Sequence, residues 1–308
     1  MLNELLNEWL NERLNELLIE WLDEWLDKYE GVIHMEEIQG ELWTPESLKA
    51  DFKKLGIKPD MTVIMHSSMK SLGGYVAGGP VAVILAIEEC VGEGGTLVMP
   101  THTGDLSDPE HWRYPPVRES WWQPLRDSMP AFSADLTPCR GMGIINESFR
   151  KQNGVVRSGH PQVSFAAWGA KKESITANHS LAYSLSEQSP IARLYGEEGW
   201  VLLLGVGHNR NTSLHLAEYR AQYVGKSEIT NHAPILEAGV RKWAGFQDID
   251  FNSDDFEQLG EAFERDTGEV RRGTVGHAAA LLMPVKELVD YAVGWMERNR
   301  GHKGEHDD

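Results

Sequence analysis

A histidine and a glutamate three residues apart are the clearest candidates for chemistry in this 308-residue chain. His215 and Glu218 lie in the stretch VLLLGVGHNRNTSLHLAEYR, which begins with four apolar residues and a Gly-Val-Gly turn. This pattern predicts a buried strand and then a helix, on which positions three apart share a face. An imidazole beside a carboxylate is a general base suited to neutral pH. The same spacing also occurs in ordinary surface pairs, so the residues alone leave both interpretations open.

Polar residues after the first predicted strand could hold a phosphate-bearing ligand. Hydroxyls, backbone N–H groups and a lysine that follow a strand form a cradle for phosphate and its attached chain. A polar turn with helix-capping residues is the alternative interpretation. Thr101, which follows a predicted strand at residues 96–99, is expected to face the same cleft. The candidate turn comprises His66, Ser67, Ser68, Met69, Lys70, Ser71, Leu72 and Gly73.

Two further histidines lie in segments that precede predicted elements. His179 lies in the polar stretch NHSLAYSLSEQSP, shortly before Ser189 and Pro190, and is the second candidate base. His160 precedes Pro161, which favours an extended backbone. Since it leads into a predicted buried strand, we expect His160 to make a structural hydrogen bond.

Composition and charge exclude several classes of protein. Apolar residues make up 41% and charged residues 25% of the chain, as in soluble globular proteins. The net charge of −18 argues against a nucleic-acid partner and suits a cationic substrate, although it also serves solubility. Cys90 and Cys139 are too few for a disulfide framework or a multi-cysteine metal site. We expect a cytoplasmic protein without a membrane span.

The first 34 residues differ from the rest of the chain. Residues 2–29 repeat every four, with leucine at the first position and mostly glutamate at the third, which predicts a helix. A four-residue period exceeds the helical turn, so the leucine stripe winds by about 40° per repeat and requires an apolar partner, such as a second copy of the chain. We interpret residues 1–34 as an added leader; a natural extension is the alternative. A homo-oligomer formed through this leader is left open.

The remaining sequence predicts an α/β domain over residues 35–300, followed by a polar tail at 301–308. Thr44 and Pro45 begin a helix that Gly56 ends. Strands and helices then alternate with short connections, which is typical of a layered α/β fold. Residues 105–138 form a long segment without periodicity, which is typical of loops that cover a site. Strands are predicted at 61–65, 96–99, 162–168 and 200–204, and helices at 79–89, 254–265 and 284–298.

Six segments in the same order resemble the aminoglycoside 3-N-acetyltransferase family. They include MHSSMKSLGGYVAGGP, TPCRGMGIINESFRK and RSGHPQVSFAAWG, in addition to the stretch around His215. The resemblance runs from about residue 35 to the last predicted helix. It implies a three-layer α/β/α fold, to which the leader adds an amphipathic N-terminal helix. It also implies an acyltransferase of antibiotic resistance, which moves the acetyl group of acetyl-CoA to the 3-amino group of an aminoglycoside by direct attack in a ternary complex.

The resemblance also implies roles for individual residues. His215 and Glu218 would activate the amine, and the segment of His179 would approach the active site. Many relatives carry an aspartate three residues after this histidine, where this chain has Ala182. The acidic residues Asp105 and Glu119 are candidates for binding the cationic substrate. The cosubstrate would lie at His66, Ser67, Ser68, Lys70, Ser71, Leu72 and Gly73, with Thr101 and Ser189 nearby.

Two alternative functions stay open from the sequence. The first is a metal-dependent hydrolase, since the chain has twelve histidines. His208 and His215 are seven residues apart, which is not the tight ligand spacing of a known zinc motif, and we expect no metal. The second is an acetyltransferase-like protein that binds coenzyme A and acts on an amine other than an antibiotic.

Overall fold

The computed structural model of the chain describes residues 13, 14, 16–22, 24 and 40–301. The chain divides into two compact units, residues 1–39 and 40–308. In the first unit the described residues are helical, and Arg13 pairs with Glu16 at 2.8 Å. The rest of the predicted leader, the boundary at residue 35 and the tail after residue 301 lie outside the described residues, so these predictions stay predictions. None of the helices in the described part is long and apolar enough to cross a membrane.

A seven-stranded sheet forms the centre of the second unit, in the order β10-β11-β7-β2-β4-β6-β5. The three central strands β7, β2 and β4 are parallel, and the strands on either side are antiparallel to their neighbours. The carboxyl ends of the parallel strands therefore lie at one edge, where α/β proteins place their ligands. The strands are β1 Leu42–Trp43, β2 Thr62–Ser67, β3 Tyr75–Val76, β4 Thr96–Pro100, β5 Val156–Arg157, β6 Phe165–Gly169, β7 Trp200–Leu204, β8 Glu228–Glu237, β9 Val240–Ile249, β10 Arg271–Val275 and β11 Ala278–Pro284.

Helices pack against this sheet and build two hydrophobic cores with it. Side chains alternate along a strand, so Val63 and Met65 of β2 enter one core and Ile64 enters the other. The predicted mixed α/β fold with a large central sheet is confirmed. The helices are α1 Pro45–Leu55, α2 Gly79–Val91, α3 Trp122–Ser128, α4 Gly143–Phe149, α5 Lys172–Thr176, α6 Pro190–Gly196, α7 Leu214–Arg220, α8 Phe256–Thr267 and α9 Val285–Asn299.

The first helix shows how local sequence sets an element. Thr44 Oγ1 accepts the N–H of Ser47 at 3.2 Å, and Ser47 Oγ accepts the N–H of Thr44 at 3.0 Å, which satisfies two free donors at the helix start. Pro45 occupies the first turn, where no N–H is needed. Gly56 ends the helix with φ 111°, a conformation that side chains disfavour. The predicted start and end of this helix are confirmed.

Two predictions about β-structure were incomplete. The strand predicted at residues 162–168 begins only at Phe165, because His160 Nδ1 accepts the N–H groups of Gln162 and Val163 and withdraws them from the sheet. The sequence also did not reveal the hairpin of β8 and β9, which pair along ten residues each. Phe251 and Asn252, which contact His215 and Glu218, lie two and three residues after its second strand.

Candidate active site

A cavity of about 410 Å³ lies at the carboxyl ends of the parallel strands, and we call it the first cavity. The turn after β2 supplies one wall, and residues 141–146 around the start of α4 supply another. A third wall follows β7 and contains Val206, Arg210 and Thr212. The strand-end position fits the general location of ligand sites in parallel sheets. From the turn after β2, the lining residues are His66, Ser67, Ser68, Met69 and Lys70.

The second half of this turn supports the cavity without lining it. Ser71 Oγ lies 2.9 Å from the carbonyl oxygen of Gly205 and ties the turn to the end of β7. Leu72 is fully buried in the core. Gly73 has φ 61°, and a Cβ there would lie 2.6 Å from Nδ1 of His277, so the close approach requires glycine. The predicted binding segment therefore divides into a lining half and a supporting half.

Two other predicted cofactor residues, Thr101 and Ser189, also lie outside the lining of the first cavity. Thr101 is fully buried, and its Oγ1 accepts a hydrogen bond from Arg157 Nε at 3.1 Å. Ser189 caps α6 by accepting the N–H of Ala192 at 3.2 Å. The hydrogen-bonding groups of both residues are used within the protein.

His215 and Glu218 form the hydrogen bond that their spacing predicts. Nδ1 of His215 bonds Oε2 of Glu218 on α7. Glu218 is fully buried, and its Oε1 accepts the N–H of Asn252 at 3.0 Å and Arg300 Nη1 at 2.7 Å. An ionised carboxylate only accepts hydrogen bonds, so Nδ1 carries the proton and Nε2 of a neutral ring has a free lone pair. Within the part of the chain that is described, Nε2 has no hydrogen-bond partner.

Apolar and neutral rings surround the imidazole of His215. The ring of His215 lies 5.0 Å from the ring of Phe251 and 4.9 Å from that of Phe256, measured between centroids. Burial, followed by the charge of His215, lowers the pKa of His66 to about 3. Burial and the neighbouring histidines likewise lower the pKa of His102 to about 3. At neutral pH both of these rings are uncharged, so neither adds a positive charge near His215.

A second cavity of about 410 Å³ lies on the Phe251 side of His215 and is also lined by His102, Arg140 and Asp250. A neighbouring outer cavity of about 420 Å³ shares Arg140 and adds Asp105 and Arg113. Asp105 lies 3.5 Å from Nε of Arg140. The walls of these two cavities thus combine two acids with two arginines.

The two predicted substrate-binding acids differ in position. Asp105 faces the outer cavity but is paired with Arg140. Glu119 begins a short helical turn, is exposed, and lines neither of the two cavities. Net charge alone therefore does not produce an acidic cleft at these walls.

The second candidate base, His179, uses both ring nitrogens inside the protein. Nδ1 lies 2.9 Å from Oγ of Ser158, and Nε2 lies 2.6 Å from the carbonyl oxygen of Ser184. Burial lowers the pKa of His179 to about 4. His160 accepts two backbone N–H groups at Nδ1, so its Nε2 donates to the carbonyl of Leu181 at 3.2 Å. The structural hydrogen bond predicted for His160 is confirmed.

Several site residues were not predicted from the sequence. Arg300 and Asn252 contact Glu218 from 82 and 34 residues away, and no local pattern marks them. Residues 141–146 line the first cavity, and Gly141 and Gly143 both have positive φ. The Gly-Met-Gly sequence before the apolar pair Ile144 and Ile145 was a usable signal for this wall. Ser213 precedes α7 without a side-chain capping hydrogen bond, and its Oγ is buried without a partner among the described residues.

Metal and thiol chemistry have no support in the described part of the chain. No group of three or more His, Cys, Asp and Glu side chains there is placed to hold a metal ion. The metal-hydrolase alternative is therefore unsupported. Burial raises the pKa of the Cys139 thiol to about 11 and also raises that of Cys90, which keeps both in the weakly nucleophilic thiol form.

Known proteins match this chain over most of its length. A protein from Bacillus subtilis, described as SPbeta prophage-derived aminoglycoside N(3')-acetyltransferase-like protein YokD, is 45% identical over 257 residues, or 83% of this chain and 93% of that protein. Aminoglycoside N(3)-acetyltransferase VII from Streptomyces paromomycinus is 37% identical over 273 residues, or 84% of this chain and 93% of that enzyme.

Solved structures show the same fold. The crystal structure of YokD has a TM-score of 0.82 at 44% identity, covering 85% of this chain and 96% of that one. The structure described as AAC-IIIb binary with CoASH has a TM-score of 0.75 at 29% identity, covering 86% of this chain and 100% of that one. AAC-VIa bound to sisomicin has a TM-score of 0.77 at 29% identity, covering 85% of this chain and 100% of that one. The family model described as aminoglycoside 3-N-acetyltransferase matches residues 64–297, which confirms the predicted resemblance. This chain therefore belongs to the aminoglycoside 3-N-acetyltransferase family.

Proposed function

We propose that the protein transfers the acetyl group of acetyl-CoA to an amine, in the first place the 3-amino group of the 2-deoxystreptamine ring of an aminoglycoside. The observation that carries this proposal is the hydrogen-bonded pair of His215 and Glu218, whose neighbours line two cavities although His215 itself lines neither. Thr212, three residues before His215, lines the first cavity, and Phe251, which packs on the ring of His215, lines the second. A base close to a donor cavity and an acceptor cavity suits direct transfer in a ternary complex.

The walls of the first cavity fit coenzyme A. Lys70 and Arg210 supply cations for phosphate groups, and the hydroxyls of Ser67 and Ser68 supply hydrogen bonds. Met69, Ile144 and Val206 provide apolar surface for the pantetheine arm. The structure of AAC-IIIb with CoASH supports this choice of cosubstrate. Acetyl-CoA would supply the acetyl thioester at this site.

In the proposed reaction the nitrogen of the unprotonated amine forms a bond to the thioester carbonyl carbon while His215 Nε2 takes one proton from that nitrogen. The carbon–sulfur bond then breaks, and protonated His215 gives this proton to the departing thiolate, which leaves the neutral amide and the thiol of coenzyme A. Glu218 holds the ring through Nδ1 and compensates the positive charge that develops on it. This route needs no nucleophile from the chain, in agreement with the raised pKa values of both thiols.

We propose that His179 stabilises the site without exchanging protons with the substrate. Its two hydrogen bonds join the segment before α6 to Ser158 and to Ser184. Ser184 Oγ in turn donates to Asp248 Oδ2 at 2.6 Å, which connects this segment to β9. His179 therefore links the sheet, the loop and the hairpin that ends near Phe251.

The acceptor is proposed from the relatives and from the second cavity. AAC-VIa is described as bound to sisomicin, which supports an aminoglycoside and with it a resistance function. The balanced charges of Asp105, Asp250, Arg113 and Arg140 favour a second candidate, an amine of lower positive charge that is not an antibiotic. The two candidates share the donor cavity and the base and differ only in the acceptor.

The experiment is thiol release from acetyl-CoA with a panel of aminoglycosides and simple amines at pH 7.5. The expected result is turnover with at least one aminoglycoside, with the product acetylated at the 3-amino group by NMR. Turnover with simple amines alone would support the second candidate. Absence of thiol release with every amine, from a protein that binds acetyl-CoA, would contradict the acetyltransferase proposal.

We also infer the finer architecture as three layers, with the sheet between two sets of helices. The support is the alternation along the central strands, since β4 places Leu97 and Met99 in one core and Val98 in the other. Helices α1 and α2 contribute to the first core, and α7, α8 and α9 contribute to the second. Both faces of the sheet are therefore covered by helices, as parallel sheets require.

A further inference from the structure

Arg300, at the end of α9, makes four hydrogen bonds, one of which reaches Glu218 of the candidate base pair. Its Nη1 donates to Oε1 of Glu218 at 2.7 Å. Its Nε and Nη2 donate to the two carboxylate oxygens of Asp255 at 2.8 and 2.6 Å, and Nη2 also donates to the carbonyl of Asn252 at 2.7 Å. The side chain is only 9% exposed, so it is held inside the protein by these contacts.

Glu218 needs such a partner because it is fully buried. A buried carboxylate without a counter-charge is costly and takes up a proton instead. The N–H of Asn252, at 3.0 Å, is a neutral donor and does not compensate a full negative charge. A protonated Glu218 could still accept a hydrogen bond from Nδ1 of His215 but would lose the negative charge that balances an imidazolium.

We propose that Arg300 is a positioning residue that keeps Glu218 ionised and oriented toward His215, and thereby sets the pH range in which His215 acts as the base. The inference rests on the proposed function, in which His215 is that base. Asp255 completes the arrangement because it shares the guanidinium and reduces the positive charge that Glu218 experiences. The four side chains form the order His215, Glu218, Arg300, Asp255.

The other titratable groups near the pair make no hydrogen bond to Glu218 among the described residues. His66 and His102 are neutral, since their pKa values are lowered to about 3. Burial, followed by the charge of Glu218, raises the pKa of Tyr223, which keeps the phenol protonated. Lys226 is a second cation that interacts with Glu218, but without a hydrogen bond to it, since Nζ donates to the carbonyls of Tyr219 and Ala221 at 2.7 and 3.0 Å.

The guanidinium of Arg300 itself stays protonated. Burial acts against it, but hydrogen bonds to the carboxylates of Asp255 and Glu218 outweigh burial and raise the pKa of Arg300 above its usual value. The side chain is thus a permanent cation beside Glu218. Its substitution removes a charge that does not otherwise change across the pH range of an assay.

The sign of the effect does not depend on which member of the base pair takes up a proton. The active form has ionised Glu218 and neutral His215, and adding one proton to either residue inactivates it. Removal of the cation at Arg300 disfavours the negative active form, so the acidic limb of the pH–rate profile moves to higher pH. Removal of the anion at Asp255 favours that form, so the limb moves to lower pH.

The experiment compares pH–rate profiles of the full-length protein and four variants. Arg300→Met is expected to raise the midpoint of the acidic limb by about 1–3 pH units, the usual effect of an adjacent charge. Arg300→Lys keeps the charge and is expected to keep the midpoint near wild type while turnover falls, because lysine lacks the planar fork. Asp255→Asn is expected to shift the midpoint to lower pH. Arg298→Met is the matched control. Arg298 is an exposed arginine on the same helix, and its charge acts on Asp266.

The outcomes separate this inference from the proposed function. An unmoved midpoint in both Arg300→Met and Asp255→Asn, or an equal shift in Arg298→Met, would overturn the inference. Thermal melting and acetyl-CoA binding check that each variant is folded, and if Arg300→Met does not fold, the direction of the shift in Asp255→Asn decides. His215→Ala is measured in parallel: retained turnover refutes the proposed base, whereas lost turnover together with unmoved midpoints refutes only the part assigned to Arg300.

Discussion

Replacement of Glu218 by glutamine tests the base pair most directly. Glutamine has nearly the shape of glutamate but no charge, and its amide has only one oxygen. In the protein, the two carboxylate oxygens accept separately from His215 and from Arg300 and Asn252. The substituted amide can satisfy one side only, and its NH₂ group then faces a donor on the other side.

Both the rate and its pH dependence should change. One lost hydrogen bond to a charged group is worth about 1.5–3 kcal/mol, which corresponds to a roughly 10- to 150-fold lower turnover if the bond is fully formed in the transition state. Loss of the adjacent negative charge makes protonation of His215 less favourable. The acidic limb of the pH–rate profile should therefore move to lower pH by about 1–3 units.

The assay is thiol release from acetyl-CoA with a saturating amine between pH 5 and 9. Affinity for acetyl-CoA, measured by calorimetry, should stay close to wild type because Glu218 does not line the first cavity. A thermal melt is needed as well, since Arg300 loses one of its two carboxylate partners and the variant is expected to be less stable. A folded variant with an unmoved acidic limb would refute the claim that Glu218 tunes His215.

Three further predictions follow from other parts of the molecule. His215→Ala should lower turnover by about 10²–10⁴-fold with little change in acetyl-CoA affinity, and near-wild-type turnover would exclude His215 as the base. Burial raises the pKa of Glu88 to about 7, so the folded protein binds a proton at this carboxyl more tightly than the unfolded chain does. The free energy of unfolding therefore falls as the pH rises from 4.5 to 7. Glu88→Gln should then stabilise the protein by up to about 3 kcal/mol at pH 8 and much less at pH 5, measured by urea unfolding, and an equal effect at both values would contradict this. Deletion of residues 1–34 should leave specific activity unchanged, since every site residue lies at or after His66; a folded but inactive product would show that the leader contributes to function.

The sequence by itself determined the features that depend on neighbours along the chain. The helix start at Thr44, its end at Gly56 and the buried strands are local patterns of capping, glycine and hydrophobicity, and these patterns predicted the α/β class. The same holds for the hydrogen bond between His215 and Glu218, because residues three apart on a helix must share a face.

Only the tertiary structure decided which predicted residues reach the site. Within the turn after β2, Ser68, Met69 and Lys70 line the cavity, whereas Leu72 is buried in the core. A sequence pattern cannot distinguish the lining residues from the buried ones, because the turn is irregular and its packing partners, Gly205 and His277, are far away in the chain.

The contact between Glu218 and Arg300 was beyond sequence reasoning for the same physical reason. Arg300 ends a helix in an ordinary polar context, and 82 residues separate it from Glu218. The charge of Arg300 acts strongly on Glu218 only because α9 packs beside α7 and buries both side chains away from water. Local sequence specifies the chemical groups and the elements that carry them, whereas burial and pairing over long chain distances decide which charges act on one another.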